Sequence, residues 1–181
     1  VESVSFSPRG DLLITAGGDG TACLWDLAGQ QLLRLSVEQG DITSVSFSPN
    51  GTTIATAGRD GTIRLWSLHG EQLIQIRGHR GWVNSVSFSP DGQRLASAGE
   101  DGMVKVWVIS GQQIAEFNGH QGPVNQVSFS PNGKQVAAAG EDGSIYLWQI
   151  QDLNELLIQG RGWLKDYLAN HSEALKHAYG V

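Results

Sequence analysis

Cysteine is almost missing from this chain. Cys23 is the only one in 181 residues, so no disulfide closes within them and no cysteine cluster can hold a metal. Charged residues are sparse as well, at 17%, and their balance is negative, with a formal charge of −6 at neutral pH. That balance leaves no electrostatic footprint for a phosphate backbone or an anionic lipid surface, so neither nucleic acid nor membrane is an expected partner. Apolar runs end after a few residues, and nothing reads as a spanning segment or a secretory leader. A cytoplasmic location is the expectation. Of the five histidines, His69, His171 and His177 lack metal-ligand spacing with acidic partners and His79 and His120 are accounted for by the repeat, and no glycine-rich loop carries the Lys and Ser/Thr of a phosphate cradle. No cofactor and no metal are expected.

What the chain has in excess is glycine, 24 residues, and its distribution is periodic. VSFSP begins at Val4, Val45, Val86 and Val127, a constant step of 41 residues. The pairs Asp19-Gly20, Asp60-Gly61, Asp101-Gly102 and Asp142-Gly143 keep the same step, and so do Trp25, Trp66, Trp107 and Trp148. Four units of this length fill the chain to about residue 160, so both fold and function have to be read through the repeat.

Within a unit the apolar period is two, which predicts strands. In the third unit the strands fall at 82–89, 93–99, 103–108 and 112–117. Ser89-Pro90-Asp91-Gly92 is a turn in which Pro pre-sets φ and Gly accepts a positive φ at the end. Asp101-Gly102 has the composition of a two-residue hairpin loop. Small Ala96, Ser97 and Ala98 suit a strand that its neighbours approach closely. Each unit is thus a four-stranded antiparallel meander with two faces to bury, and it can bury them only by stacking on its neighbours. Radial stacking gives a β-propeller; a parallel β-helix would have shorter repeats without two hairpins per unit.

The period of 41, Gly78-His79 and Gly119-His120 ahead of the first strand, the Asp-Gly turns and the Trp closing the third strand resemble WD40 repeats. The namesake dipeptide stands only at Trp25-Asp26; the other units have Trp66-Ser67, Trp107-Val108 and Trp148-Gln149. The resemblance implies an all-β propeller of four-stranded antiparallel blades, at about 1–37, 38–78, 79–119 and 120–159, followed by a helical tail at 160–181. It extends to the close copies found in long bacterial WD-repeat proteins.

The same resemblance places His79, Ser97, Asp101 and Trp107 in a buried hydrogen-bonded tetrad. Its chemistry is self-consistent: the indole donates, the hydroxyl donates and accepts, the carboxylate accepts, and a neutral imidazole does one of each. Ser, His and Asp together also invite a nucleophilic-triad reading. Against it, the hydroxyl lies inside a strand, the motif repeats, and the copies lose members one by one. The fourth unit has Ala138 at the hydroxyl position, and the second has Glu38 at the His position. The expected role is structural and no catalytic residue is expected. Cys23, Arg64, Lys105 and Tyr146 share one freely varying position, which argues against a reactive centre there.

Positions that change between copies are where binding specificity is expected. They fall in two loops: Gln39 and Asp41, Arg80 and Trp82, Gln121 and Pro123 before the first strand, and Gly18, Arg59, Glu100 and Glu141 before the turn Asp. In WD40-like propellers both loops open on the usual partner-binding face. Arg59, Arg80 and Trp82 have the composition of an interface hot spot, with Glu100 and Glu141 as a polar rim; alternatively these are solvated loops and Trp82 packs locally.

After the third strand of the last unit the pattern breaks. Leu153, Leu156 and Leu157 have helical spacing behind Asp152 and Glu155, although 153–159 could still pair as an edge strand, and 163–179 is a helix candidate. The chain starts inside a unit and is expected to be the C-terminal part of a longer protein, its four blades part of a larger ring. An open set of blades has apolar ends and is expected to self-associate. The functional expectation is a non-catalytic scaffold for protein or peptide partners, the alternative being the sensor module of a larger bacterial signalling NTPase or kinase.

Overall fold

The computed structural model describes residues 1–36 and 40–150. The expectations for 151–181, the helical tail included, and for Val37, Glu38 and Gln39 lie outside the described residues. The compact unit Val1–Gln149 holds fifteen strands in four antiparallel sheets, each a simple meander. The first sheet is β1 (Ser3–Phe6), β2 (Leu12–Ala16), β3 (Thr21–Asp26) and β4 (Gln31–Ser36). The second is β5 (Ile42–Phe47), β6 (Thr53–Gly58), β7 (Thr62–Ser67) and β8 (Gln72–Arg77). The third is β9 (Val83–Phe88), β10 (Arg94–Gly99), β11 (Val104–Val108) and β12 (Gln113–Phe117). The fourth has three strands among the described residues: β13 (Val124–Phe129), β14 (Gln135–Gly140) and β15 (Ile145–Gln149).

The hydrophobic cores lie between sheets rather than within them. One joins Ala22, Leu24 and Leu35 of the first blade to Val45, Phe47 and Trp66 of the second. The next joins Ala57, Leu65 and Ile76 of the second to Val86, Phe88 and Trp107 of the third. Every blade thus has a leading face carrying its Val, Phe and Trp, and a trailing face carrying the small residues and the aliphatics of its second and third strands. Strand β10 is buried along both faces from Leu95 to Gly99, which only side chains as small as those of Ala96, Ser97 and Ala98 permit at sheet-stacking distance. The homologous β14 alternates between buried and half-buried positions, because nothing described covers the trailing face of the last blade.

One turn differs from the expectation. A two-residue Asp-Gly loop needs positive φ at both residues, yet among the described residues only glycines have positive φ. Gly102 N–H donates to Gly99 carbonyl at 3.2 Å, and Gly99 N–H to Met103 carbonyl at 3.2 Å. The loop therefore has three residues, Glu100, Asp101 and Gly102, in a turn that ends on Gly102 at φ 76°. The extra residue is the one that reaches toward the neighbouring loop.

Candidate partner-binding face and the buried tetrad

In the third blade the turn Asp, the loop His and two strand side chains form one hydrogen-bonded chain. His79 Nδ1 lies 2.8 Å from Asp101 Oδ1, His79 Nε2 lies 2.7 Å from Ser97 Oγ, and Trp107 Nε1 donates to Ser97 Oγ at 2.9 Å. Strand pairing sets this up, since Ser97 faces Lys105 and Leu95 faces Trp107 across β10 and β11. Asp101 also accepts the N–H groups of Arg80 (3.0 Å) and Met103 (3.2 Å). Burial pushes the His79 imidazole below its ordinary range, with the Asp101 carboxylate pulling the other way. Burial works against the Asp101 carboxylate as well, but the hydrogen bonds from His79 and the Arg80 N–H outweigh it and hold the group below the usual carboxylate range. The pair is neutral imidazole with carboxylate: Nδ1–H donates to Asp101, and Nε2 accepts from the Ser97 hydroxyl.

These contacts have the connectivity of a catalytic triad without its access. Ser97 is 0% exposed, and its oxygen already accepts the indole proton of Trp107. A substrate carbonyl cannot reach it.

The other blades keep parts of the set. Trp25 donates to Thr15 Oγ1 and Trp66 to Thr56 Oγ1, both at 2.9 Å. The turn Asp recurs in all four blades because it also serves its own turn: Asp19, Asp60, Asp101 and Asp142 each accept the N–H two residues on. In the second blade Arg64 Nη2 binds Asp60 Oδ2 at 2.7 Å. In the fourth, His120 Nδ1 faces Asp142 Oδ1 at 3.1 Å, Tyr146 packs edge-on against its ring at 4.7 Å, and Nε2 is buried without a partner in the blade that has Ala138 at the hydroxyl position. Lys105 donates to Gly78 carbonyl at 2.6 Å beside the complete tetrad. The position of Arg64, Lys105 and Tyr146 thus varies because each residue answers a different version of the tetrad. The signal was readable in the copies: an Arg holds this position in the unit whose His position is Glu38.

This electrostatic state gives a pH prediction. His79 binds its proton more weakly folded than unfolded, so the unfolded chain holds more protons between the two pKa values and stability rises with pH there. The melting temperature is expected to fall as the pH drops below about 6.5, the ordinary histidine value, and to fall again below about 4 as the lowered carboxylates Asp60 and Asp101 are protonated. His79→Gln is expected to lose the first step and keep the second. A wild-type melting temperature that stays flat from neutral pH to about 5 would refute the assignment.

Above the tetrad the two variable loops meet. Arg59 N–H donates to Asp41 carbonyl, Glu100 N–H to Trp82 carbonyl and Glu141 N–H to Pro123 carbonyl, each at 2.9 Å. Side chains then link one blade to the next. Arg59 Nη1 pairs with Asp41 Oδ2 at 2.6 Å, and its guanidinium lies 4.3 Å from the ring centre of Trp82 on the following blade. Glu100 Oε2 accepts the Trp82 backbone N–H at 3.2 Å. Trp82 nevertheless remains 42% exposed. The structure therefore brings Arg59, Trp82 and Glu100 together, and adds Asp41, which the sequence marked only as variable. Arg80 and Glu141 are exposed and make no side-chain contact with this cluster among the described residues.

The family model described as WD domain, G-beta repeat matches the chain four times, at residues 1–26, 29–67, 70–108 and 111–149. The second to fourth matches begin at the last strand of one blade and end at the third strand of the next, so the repeating unit straddles the junction between blades. No curated protein matches the chain.

Proposed function

The chain belongs to the WD40 family, whose repeats generally mediate protein–protein interaction, and from that premise we propose a non-catalytic scaffold that takes a protein or peptide partner on the loop face holding Arg59, Trp82 and Glu100. One observation carries the reading: the indole of Trp82 is half-exposed while Arg59 stacks on it and Glu100 fixes its backbone. An aromatic anchor held by its neighbours loses little freedom when it is covered, and Trp and Arg are the residues most enriched where interface truncation costs most. The composition, with one cysteine and a charge of −6, supports a cytoplasmic setting and gives no hold on nucleic acid or membrane.

The test is a random peptide library selected on the immobilised chain, with the selected peptides then titrated against variants. Trp82→Ala is expected to weaken them by about thirtyfold, the scale of a hot spot of about 2 kcal/mol, and Arg59→Ala by less. Melting temperatures should change little, since both side chains are exposed. Peptides that bind wild type and Trp82→Ala equally would remove this face from the reading.

A further inference from the structure

The loop that presents Trp82 has little stiffness of its own. It runs from Gly78 to Trp82 between β8 and β9, and Gly81 reverses it at φ 122°. A glycine in that conformation leaves a free loop many shapes. Two of the loop's N–H groups are nevertheless taken by carboxylates of the β10–β11 turn. Arg80 N–H donates to Asp101 Oδ2 at 3.0 Å, and Trp82 N–H donates to Glu100 Oε2 at 3.2 Å. The Trp82 carbonyl in return accepts the Glu100 N–H at 2.9 Å. Asp101 is itself held through Oδ1 by His79 at 2.8 Å, and the His79 side chain is fully buried.

The other blades have parts of this clamp. In the fourth, Gln121 N–H donates to Asp142 Oδ2 at 2.8 Å and Glu141 N–H to the Pro123 carbonyl at 2.9 Å. Pro123 stands at the Trp82 position, however, and offers the Glu141 carboxylate no N–H. His120 Nε2, for its part, has no hydrogen bond. In the second blade Arg59 occupies the Glu100 position and pairs with the Asp41 side chain instead. Among the described residues one blade has the complete tetrad, and the half-exposed Trp stands in the loop fastened to it.

We infer that the third-blade tetrad serves partner binding as well as the fold: His79 and Asp101 are positioning residues that hold the 78–82 loop in the shape that presents the Trp82 indole. The inference rests on the loop-face reading of Trp82. His79 is buried and both Asp101 oxygens are occupied, so their effect on a partner has to pass through the loop. It does so as a population. A loosened loop keeps the indole beside Arg59 for only part of the time, and the apparent affinity falls by that fraction.

The peptides selected on the wild-type chain, titrated against single and double variants, test this. His79→Ala is expected to weaken them by about tenfold, the loss when the loop is competent about a tenth of the time. Asp101→Asn is the milder variant, because Asn suits the turn as Asp does. Its NH2 must face either the imidazole N–H or the Arg80 N–H, so it should weaken the peptides too. Amide hydrogen exchange at Arg80 and Trp82 should quicken in both variants. Val106→Ala, a buried position in the middle of β11, destabilises the same sheet by opening a cavity. Measured where it is folded, it should bind as wild type does. In the Trp82→Ala background His79→Ala should cost less than about twofold, since the two changes act through one ring. Trp82→Ala without effect would remove the loop-face reading and this inference with it. Where Trp82→Ala does weaken the peptides, three results would overturn this inference alone: unchanged affinity in His79→Ala and Asp101→Asn, an equal loss in Val106→Ala, or the full His79→Ala loss persisting without Trp82.

Discussion

Trp107→Ala is expected to lower the unfolding free energy by about 3–5 kcal/mol, the range for removing a buried Trp. Three contributions act together. The indole is buried in the core between the second and third blades, with Leu65, Ile76 and Phe88. The backbone of the preceding loop is shaped to it, since a Cβ on Gly78 would come within 2.6 Å of the ring. Its N–H is also the terminal donor of the tetrad, at 2.9 Å from Ser97 Oγ. A cavity at this place weakens the contact of two blades, and blade arrays hold together mainly through such nearest-neighbour interfaces. Urea titration should show a lower midpoint, with the melting temperature down by about 10 °C or more. Trp82→Ala is the built-in comparison, because that ring is half-exposed and its loss should cost under about 1 kcal/mol. Equal losses at the two positions would mean that the Trp107 site collapses without a cavity.

The difference between those two tryptophans marks what can be read from the chain itself. Trp107 recurs at a fixed spacing with Asp101, and a residue that recurs in every unit is explained by what every unit needs. The strands, the glycines of the turns and the Asp and Trp of the tetrad have that legibility; His79 and Ser97, whose positions hold Glu38 and Ala138 in other units, were placed by the family resemblance. The Asp-Gly loop was misread because a dipeptide carries no information on whether its Asp has positive φ. Here Asp101 accepts the Met103 N–H, a local bond that fits the right-handed conformation and lengthens the loop to three residues. The contact of Arg59 with Trp82 was hidden for a different reason. It joins two blades through a long side chain, at a position where neither residue repeats. Asp41 was likewise visible as a variable residue, but only geometry shows it holding Arg59 in place. The role of Arg64 lies between these cases, since comparing copies shows the exchange and the structure shows the bond to Asp60.

Ser97→Ala should have the second largest effect, a loss of about 2–4 kcal/mol, and Ala138→Ser should give a smaller gain of about 0.5–1.5 kcal/mol. The two changes exchange the states of the third and fourth blades. In the third, removing the hydroxyl leaves both His79 Nε2 and Trp107 Nε1 buried with no partner, and each orphaned group costs about 1–3 kcal/mol. The fourth blade already holds half of that state: Ala138 is buried and His120 Nε2 is buried with no hydrogen bond. A hydroxyl there would stand where Ser97 stands relative to its own His and Trp, able to donate to Nε2 and to accept from Trp148. The gain is smaller than the loss because a new hydrogen bond contributes only its net value, whereas a broken network leaves desolvated groups behind. Location acts in the same direction. Trp107 is buried, while Trp148 is only half-buried and stacks on Phe117 at 5.2 Å, so water can already compensate part of the fourth blade's deficit. Equilibrium unfolding of the two variants and their double mutant measures this directly. Residues on different blades should combine additively. A Ser97→Ala loss below about 1 kcal/mol would show that the strands alone hold the third blade, and that its tetrad fixes the loop without adding stability.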